Sequence, residues 1–233
     1  MNDINELEIA EIVDSRHAQS LFNKTRPFTV LMTQYECAML EIKTKLDVLN
    51  AELSLESERN PFESISCRLK TPMSIIEKLK RRQLPVTVDS IRQNIHDVAG
   101  VRVICSFPAD IYMLAEKLCN QDDIRVLAKK DYIKNPKSNG YRSLHLLLEI
   151  PIFLSSEKKF MQVEVQFRTI AMDFWASLEH KVRYKKDLSK NAEHIADELR
   201  ECAEEISSMD LRMQEIRNRI EALVIRESNP LCP

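Results

Sequence analysis

Glycine is almost missing from this chain of 233 residues: only Gly100 and Gly140 occur. Walker-type phosphate loops and dinucleotide fingerprints need several glycines so that backbone amides can close around phosphate, and neither can exist here. Any phosphate must be held by side chains. Long apolar runs are missing as well, and none approaches the ~20 residues that a membrane-spanning helix requires. The acidic start, with Asp3, Glu6, Glu8 and Glu11, lacks the basic opening of a secretory signal. The expectation is a soluble, cytoplasmic protein with no membrane partner. Its six cysteines (Cys37, Cys67, Cys105, Cys119, Cys202 and Cys232) form no Cys-x-x-Cys pair and have no histidine at zinc-ligand spacing. They are expected to be reduced and mostly buried.

Hydrophobic residues make up 44% of the chain, enough for a proper core, and the formal net charge is only −2. That near-balance hides an asymmetry. Residues 61–186 carry 22 Lys+Arg against 14 Asp+Glu, a net of +8, and the remainder carries 12 against 22, a net of −10. A positive middle concentrates anions, so the middle is where an anionic ligand is expected.

The most informative stretch is residues 161–168. Met161, Val163, Val165 and Phe167 alternate with Gln162, Glu164, Gln166 and Arg168, which predicts a strand with one buried face. Its other face lines up two amides, a carboxylate and a guanidinium. That face is either simply solvated or a ligand surface, and alternation does not choose between them. Elsewhere, a weak helical period covers about 3–21. A stronger one runs from Pro27 to Leu55 with a seam of Tyr35, Met39, Ile42, Leu46, Leu49 and Leu53. Ser64–Lys70 reads as a short strand carrying Arg68 and Lys70 on one face. Thr71-Pro72 is a helix start, and the helix that follows puts Ser74, Lys78 and Arg81 on one face. That face, too, could be no more than solvated.

A helix is expected over 87–95, a turn at Asp97 into a strand bearing Arg102, a helix over 108–118 and a strand over 124–127. The basic segment 129–142, rich in Pro, Asn and Gly, predicts a loop leading into a strand over 143–150. A helix over 171–184 carries Asp173, Glu179 and His180. The last helix has apolar residues stepping by four and three from Ile195 to Leu223. That seam wants a partner, either the 27–55 helix of the same chain or a helix of another copy.

Strands alternating with helices predict an α/β middle. Its distinctive groups are Asp97 and Glu164, carboxylates on separate elements, among many cations. This is the donor set of Mg²⁺-nucleotide chemistry: carboxylates hold a hard cation that keeps its other positions for phosphate oxygens, and Lys and Arg neutralise the rest. Arg68, Arg102 and Tyr141 also have flat groups that can stack on bases.

Four strings carry a family resemblance: R-x-K-x-x-x-S (Arg68, Lys70, Ser74), D-V-A-G-V-R (Asp97 to Arg102), K-D-Y-I-K-N-P-K-S-N-G-Y-R-S-L-H (Lys130 to His145) and V-E-V-Q-F-R-T-x-A-M-D-F-W-A-S-L-E-H (Val163 to His180). Together they resemble the synthetase domain of RelA/SpoT homologues over residues 60–186. Residues 1–59 and 187–233 would then be helical flanks, the latter for oligomerisation or packing, as in a stand-alone small alarmone synthetase. The resemblance implies an α/β (α+β) fold, a nucleotidyltransferase-like mixed sheet flanked by helices. It implies transfer of the β,γ-pyrophosphate of ATP to the 3′-hydroxyl of GDP or GTP, with Mg²⁺ as cofactor and a homo-oligomer, commonly a tetramer. Carried over by motif, Arg68 and Arg102 would sandwich adenine, and Lys70, Ser74, Lys78 and Arg81 would hold the ATP phosphates. Asp97 and Glu164 would bind the metal, Glu164 also taking the 3′-hydroxyl proton. Tyr141 would stack on guanine with Lys137, His145, Gln166 and Asp173 nearby, and Arg168 and Glu179 would support these groups. The loop departs from long homologues, since Ala128-Lys129-Lys130-Asp131 keeps only the last two elements of R-x-K-D.

Two rival readings compete. His96-Asp97 resembles the metal pair of HD-type hydrolases, although here it leads into a strand. The basic middle could instead bind RNA with Tyr132 and Tyr141 as stacking platforms. RNA binding is compatible with the pattern but not needed by it, and it leaves Asp97 and Glu164 unexplained.

Overall fold

The computed structural model describes residues 15–56, 59–183 and 192–228. Helix α1 (Ser15–Glu56) leads into strand β1 (Phe62–Leu69), followed by α2 (Pro72–Arg81), α3 (Val88–Asn94), β2 (Ala99–Cys105) and α4 (Pro108–Cys119). The chain continues through β3 (Arg125–Asp131), β4 (Leu144–Phe153), β5 (Lys158–Thr169), α5 (Ile170–Arg183) and α6 (Ala192–Ser228). The strands form one mixed sheet in the order β1-β2-β5-β4-β3, in which only β2 and β5 run parallel. This is the α+β architecture expected, with the 161–168 stretch inside the central strand.

The two-residue period of β5 decides which way the sheet faces. Met161, Val163, Val165 and Phe167 are buried, together with Val101 and Val103 of β2 and Leu144, Leu146 and Leu148 of β4. Helix α1 lies across β1, β2, β4 and β5 on that side, contributing Leu31, Tyr35, Ala38, Ile42, Leu46 and Leu53 at its 3.6-residue period. Helix α4 packs on β5 and β2 and adds Ile111, Leu114 and Leu118 to the same core. Each such leucine or isoleucine contributes about 1.5–3 kcal/mol on burial. With one face of the sheet spent on this core, the other is free for polar chemistry.

Several elements differ from expectation. Helix α1 begins well before Pro27 and passes through it. A proline there removes one hydrogen bond and bends a helix without having to end it when an amphipathic seam holds the next turns. The expected helical stretch 3–14 lies outside the described residues. Strand β3 continues to Asp131, into the segment read as loop, because Lys129 and Lys130 pair with Leu146 and His145 of β4. Strand β4 runs past Pro151, where β3 has already ended and the missing N–H faces no third strand. Of the five described cysteines, all free, only Cys105 is buried and Cys202 is exposed, so they are less buried than expected.

Helix α6 packs on α5 and α4, and no comparable packing on α1 occurs among the described residues. It docks chiefly with Ala203 and Asp210, at the edge of the predicted seam: Leu199 and Ile206 of that seam are partly buried, whereas its Met209, Met213, Ile220 and Leu223 are more than half exposed. The docking is anchored by Trp175 Nε1 donating to the Leu199 carbonyl at 2.9 Å and by Thr169 Oγ1 donating to Asp210 at 2.6 Å. The loop before β4 rests on this helix. Gly140 has φ +85°, and a Cβ there would lie 2.5 Å from Ala203 Cβ. Gly140→Ala therefore meets both a left-handed backbone and a collision, and should cost at least about 1–2 kcal/mol, read as a fall in denaturation midpoint. An unchanged midpoint would mean that this loop does not lean on α6.

Candidate active site

Register places the polar side chains in rows across the open face. Ser66 of β1 lies opposite Arg102 of β2, Arg102 opposite Gln166 of β5, Gln166 opposite His145 of β4, and His145 opposite Lys130 of β3. In the next row, Arg68, Gly100 and Glu164 are neighbours on β1, β2 and β5. Because side chains alternate across a strand, these residues share one face. The turn before β2 adds Asp97, and Ser66, Arg68, Lys70, Asp97, Gly100, Arg102, Glu164 and Gln166 line a cleft of about 330 Å³. Gly100 was not singled out from sequence. A Cβ there would meet only the Arg68 carbonyl, at 3.6 Å, so the chain itself leaves room for a side chain. What a larger residue would fill is the cleft.

The two carboxylates are held in different ways. Asp97 accepts from Lys78 Nζ at 2.7 Å and Lys70 Nζ at 3.0 Å. Burial pushes its carboxyl up, but these two ammonium groups more than offset that and hold it below the usual range. Glu164 accepts from Gln166 Nε2 at 2.6 Å and lies 3.4 Å from His145 Nδ1. Burial raises it as well, the bonds from His145 and Gln166 lower it further than burial raises it, and the charge of Asp97 pushes it back up. Both groups are therefore ionised near neutrality, and each stands within electrostatic reach of the other. That is a cost unless a cation joins them.

Arg68, Lys70, Asp97, Arg102, Glu164 and Gln166 thus come together as expected. Lys78 reaches the site through Asp97. Thr71 caps α2, its Oγ1 accepting from the Ser74 N–H at 3.3 Å and donating to the Ser74 hydroxyl at 2.9 Å, so Ser74 sits in the first turn of the helix. Arg81 is exposed on the same helix, outside the cleft wall. A second group gathers beside Gln166: Tyr141 Oη lies 2.8 Å from His145 Nε2, and Lys137 Nζ sits 4.6 Å over the Tyr141 ring and 4.8 Å over that of Tyr132. Asp173 bridges the two groups, accepting from Arg168 at 2.8 Å and forming an ion pair with Arg102 at 3.3 Å. Glu179 accepts from Asn139 at 3.2 Å, tying the loop to α5.

Three placements were not read from sequence. Arg168 belongs to the polar side of the β5 alternation, yet it is only 6% exposed. Asp131 anchors the loop by accepting from the N–H groups of Ile133 and Lys134, each at 3.1 Å, and from Tyr112 Oη at 3.1 Å. Burial and this carboxylate push the Tyr112 phenol up to about 12. An aspartate two residues before a turn was a legible signal for the backbone contacts, while nothing marked Tyr112. His96 lies 2.8 Å from Gln162 Oε1, and no group of three His, Cys, Asp or Glu that could hold a metal exists among the described residues. The ligand set of an HD-type hydrolase is therefore missing there.

A sequence profile described as "Region found in RelA / SpoT proteins" matches residues 67–189. The chain is 42% identical over 189 residues to the GTP pyrophosphokinase YwaC of Bacillus subtilis, covering 80% of this chain and 89% of that protein. It is 35% identical over 190 residues to the GTP pyrophosphokinase YjbM of the same organism, covering 82% and 88%. Its fold is similar to the crystal structure of small alarmone synthetase 1 from Bacillus subtilis bound to its product pppGpp, with a TM-score of 0.76 and 34% identity, over 84% of this chain and 99% of that one.

The Asp97 cluster makes a pH prediction. A carboxylate depressed in the folded state stabilises it above the unfolded value of about 3.9, and that contribution disappears as pH falls through this range towards the folded value. Wild type should therefore lose its stability difference from Asp97→Asn between about pH 5 and about pH 2, measured by urea denaturation. A difference that stays constant across that range would show that the Lys70–Asp97–Lys78 contacts do not contribute.

Proposed function

The chain belongs to the RelA/SpoT family, and from that premise we propose that it is a (p)ppGpp synthetase, moving the β,γ-pyrophosphate of ATP to the 3′-hydroxyl of GDP or GTP and releasing AMP. The observation that carries this reading is the pair Asp97 and Glu164, ionised carboxylates from separate elements that line one cleft with Arg68, Lys70 and Arg102.

The donor set fits Mg²⁺: two carboxylate groups, with no cluster of three His, Cys, Asp or Glu arranged to hold a metal among the described residues, suit an ion that keeps most positions for water and phosphate oxygens. Asp97 and Glu164 would hold it, and there it would screen phosphate charge and steady the leaving oxygen. Arg68 and Arg102, which line the cleft from the adjacent strands β1 and β2, would serve as platforms for the adenine. Lys70 and Lys78, with Ser74 and Arg81 further along α2, supply charge for the phosphates. On the other side of Gln166, Tyr141 offers a ring for guanine, with Lys137, His145, Gln166 and Asp173 around it.

The ribose 3′-oxygen then attacks the β-phosphorus in line. Its proton passes to the Glu164 carboxylate, which is already ionised, and the β-phosphorus to bridging-oxygen bond breaks to leave AMP. Placing the two nucleotides and neutralising their charge supply most of the rate. A cytoplasmic location, where thiols stay reduced, is part of the same reading. So is a homo-oligomer, commonly a tetramer in this family, that covers the exposed Met209, Met213, Ile220 and Leu223 of α6.

With Mg²⁺, labelled ATP and GDP, the protein should form AMP and a more highly phosphorylated guanosine nucleotide. Glu164→Gln should lower that synthesis by at least about a hundredfold while ATP binding persists. Equal loss of binding and synthesis would contradict the role given to Glu164, and label that stays in ATP with wild type would overturn the reading as a whole. Sedimentation should give a species heavier than one chain, and Met213→Glu with Ile220→Glu should dissociate it. A wild-type monomer would count against the oligomer.

A further inference from the structure

Arg168 is a cation enclosed in protein, with its Nε–H buried and without a partner among the described residues. A guanidinium held that way is costly unless its remaining hydrogen bonds are well used. Those bonds converge on one place. Nη1 donates to Asp173 at 2.8 Å, while Nη2 donates to Tyr141 Oη at 2.7 Å and to Gln166 Oε1 at 3.3 Å. Gln166 then donates from Nε2 to Glu164 Oε2 at 2.6 Å. Tyr141 Oη meets His145 Nε2 at 2.8 Å, and His145 Nδ1 lies 3.4 Å from Glu164 Oε1. Two chains of contacts therefore leave one guanidinium and end on the two oxygens of one carboxylate.

The direction of each bond follows from the first donor. Arg168 can only donate, so the Gln166 oxygen must point at it and the Gln166 NH₂ must point at Glu164. By the same logic Tyr141 spends a lone pair on Arg168. Its single proton is left for His145 Nε2, so His145 carries its own proton on Nδ1, facing the carboxylate. The opposite tautomer would set a bare Nδ1 lone pair against Glu164 and leave the tyrosine proton without an acceptor.

We infer that Arg168 is a positioning residue that sets the hydrogen-bond polarity of Gln166, Tyr141 and His145, so that both oxygens of Glu164 receive donors and its carboxylate is held for the acceptor hydroxyl. This deepens the proposed pyrophosphate transfer and rests on it. It also gives the Tyr141 hydroxyl a task separate from its ring: the group expected to stack on the acceptor base is wired to the group expected to take the acceptor's proton.

The test uses ¹⁵N-histidine-labelled full-length protein above about pH 8, where an ordinary imidazole is neutral, with His145→Gln serving to assign the signal. Wild type should show His145 protonated on Nδ1. Tyr141→Phe, which keeps the ring, and Arg168→Lys, which keeps the charge but not the fork, should shift it towards the Nε2–H form. In the pyrophosphate-transfer assay each should lower kcat about tenfold while moving the KM for ATP less than threefold, as expected when supporting partners of a catalytic group are removed. The double variant should fall no further than the worse single one. If Arg168→Lys does not fold, Tyr141→Phe alone decides. An Nε2–H tautomer in wild type, a tautomer that ignores both variants, or multiplicative losses in kcat would overturn the inference. Should the tautomer respond while wild type makes no guanosine product, the polarity role stands and the proposed reaction fails.

Discussion

Two ionised carboxylates face a common cleft, and each survives there only because of what surrounds it. Asp97 sits between Lys70 and Lys78; Glu164 takes a hydrogen bond from Gln166 and lies against His145. Burial opposes both charges, and Asp97 opposes the charge of Glu164. A pair of like charges kept this way stores a demand for a cation, and a cation bound there presents open positions to a polyphosphate. The rest of the molecule can be understood as the frame that keeps these two groups at that separation.

The frame is the sheet. β1, β2 and β5 lie side by side, so Arg68, Gly100 and Glu164 are neighbours by register although up to 96 positions separate them in the chain. Burying one face against α1 and α4 fixes that register, because a slip of one residue would send Glu164 into the core and Val165 into the cleft. The second group, around Tyr141, depends on a longer reach. Its loop is held by Asp131 at one end and rests on α6 through Gly140, while Asn139 ties it to α5. The Tyr141 side is thus sensitive to helix α6, whereas the carboxylate side depends mainly on the sheet core.

Much of this could be read from the chain beforehand, for definite reasons. The β5 alternation, the Thr71-Pro72 start and the seam of α1 are local patterns with a fixed period, and the cleft residues fell into four strings resembling one family. What escaped were features set by distant partners. Lys129 and Lys130 read as loop because their strand character comes from pairing with β4, not from their own propensity. Pro27 read as a helix start because a proline interior to a helix looks the same as one at its first turn. Arg168 was expected to support the site, but its burial was not read, because nothing local says that Tyr141, Gln166 and Asp173 close over it. The α6 seam was visible as a seam, but the face that the helix buries within its own chain overlaps it only in part, at Leu199 and Ile206 beside Ala203 and Asp210.

The central claim is that Asp97 and Glu164 share one divalent cation together with the triphosphate. Electron paramagnetic resonance of Mn²⁺ titrated into the protein with a non-hydrolysable ATP analogue tests it most directly. One Mn²⁺ per chain should bind, more tightly with the nucleotide than without it, and both Asp97→Asn and Glu164→Gln should weaken it by about tenfold or more. Binding left unchanged by either substitution would mean that the two carboxylates do not hold one ion, and the account of the site would be wrong.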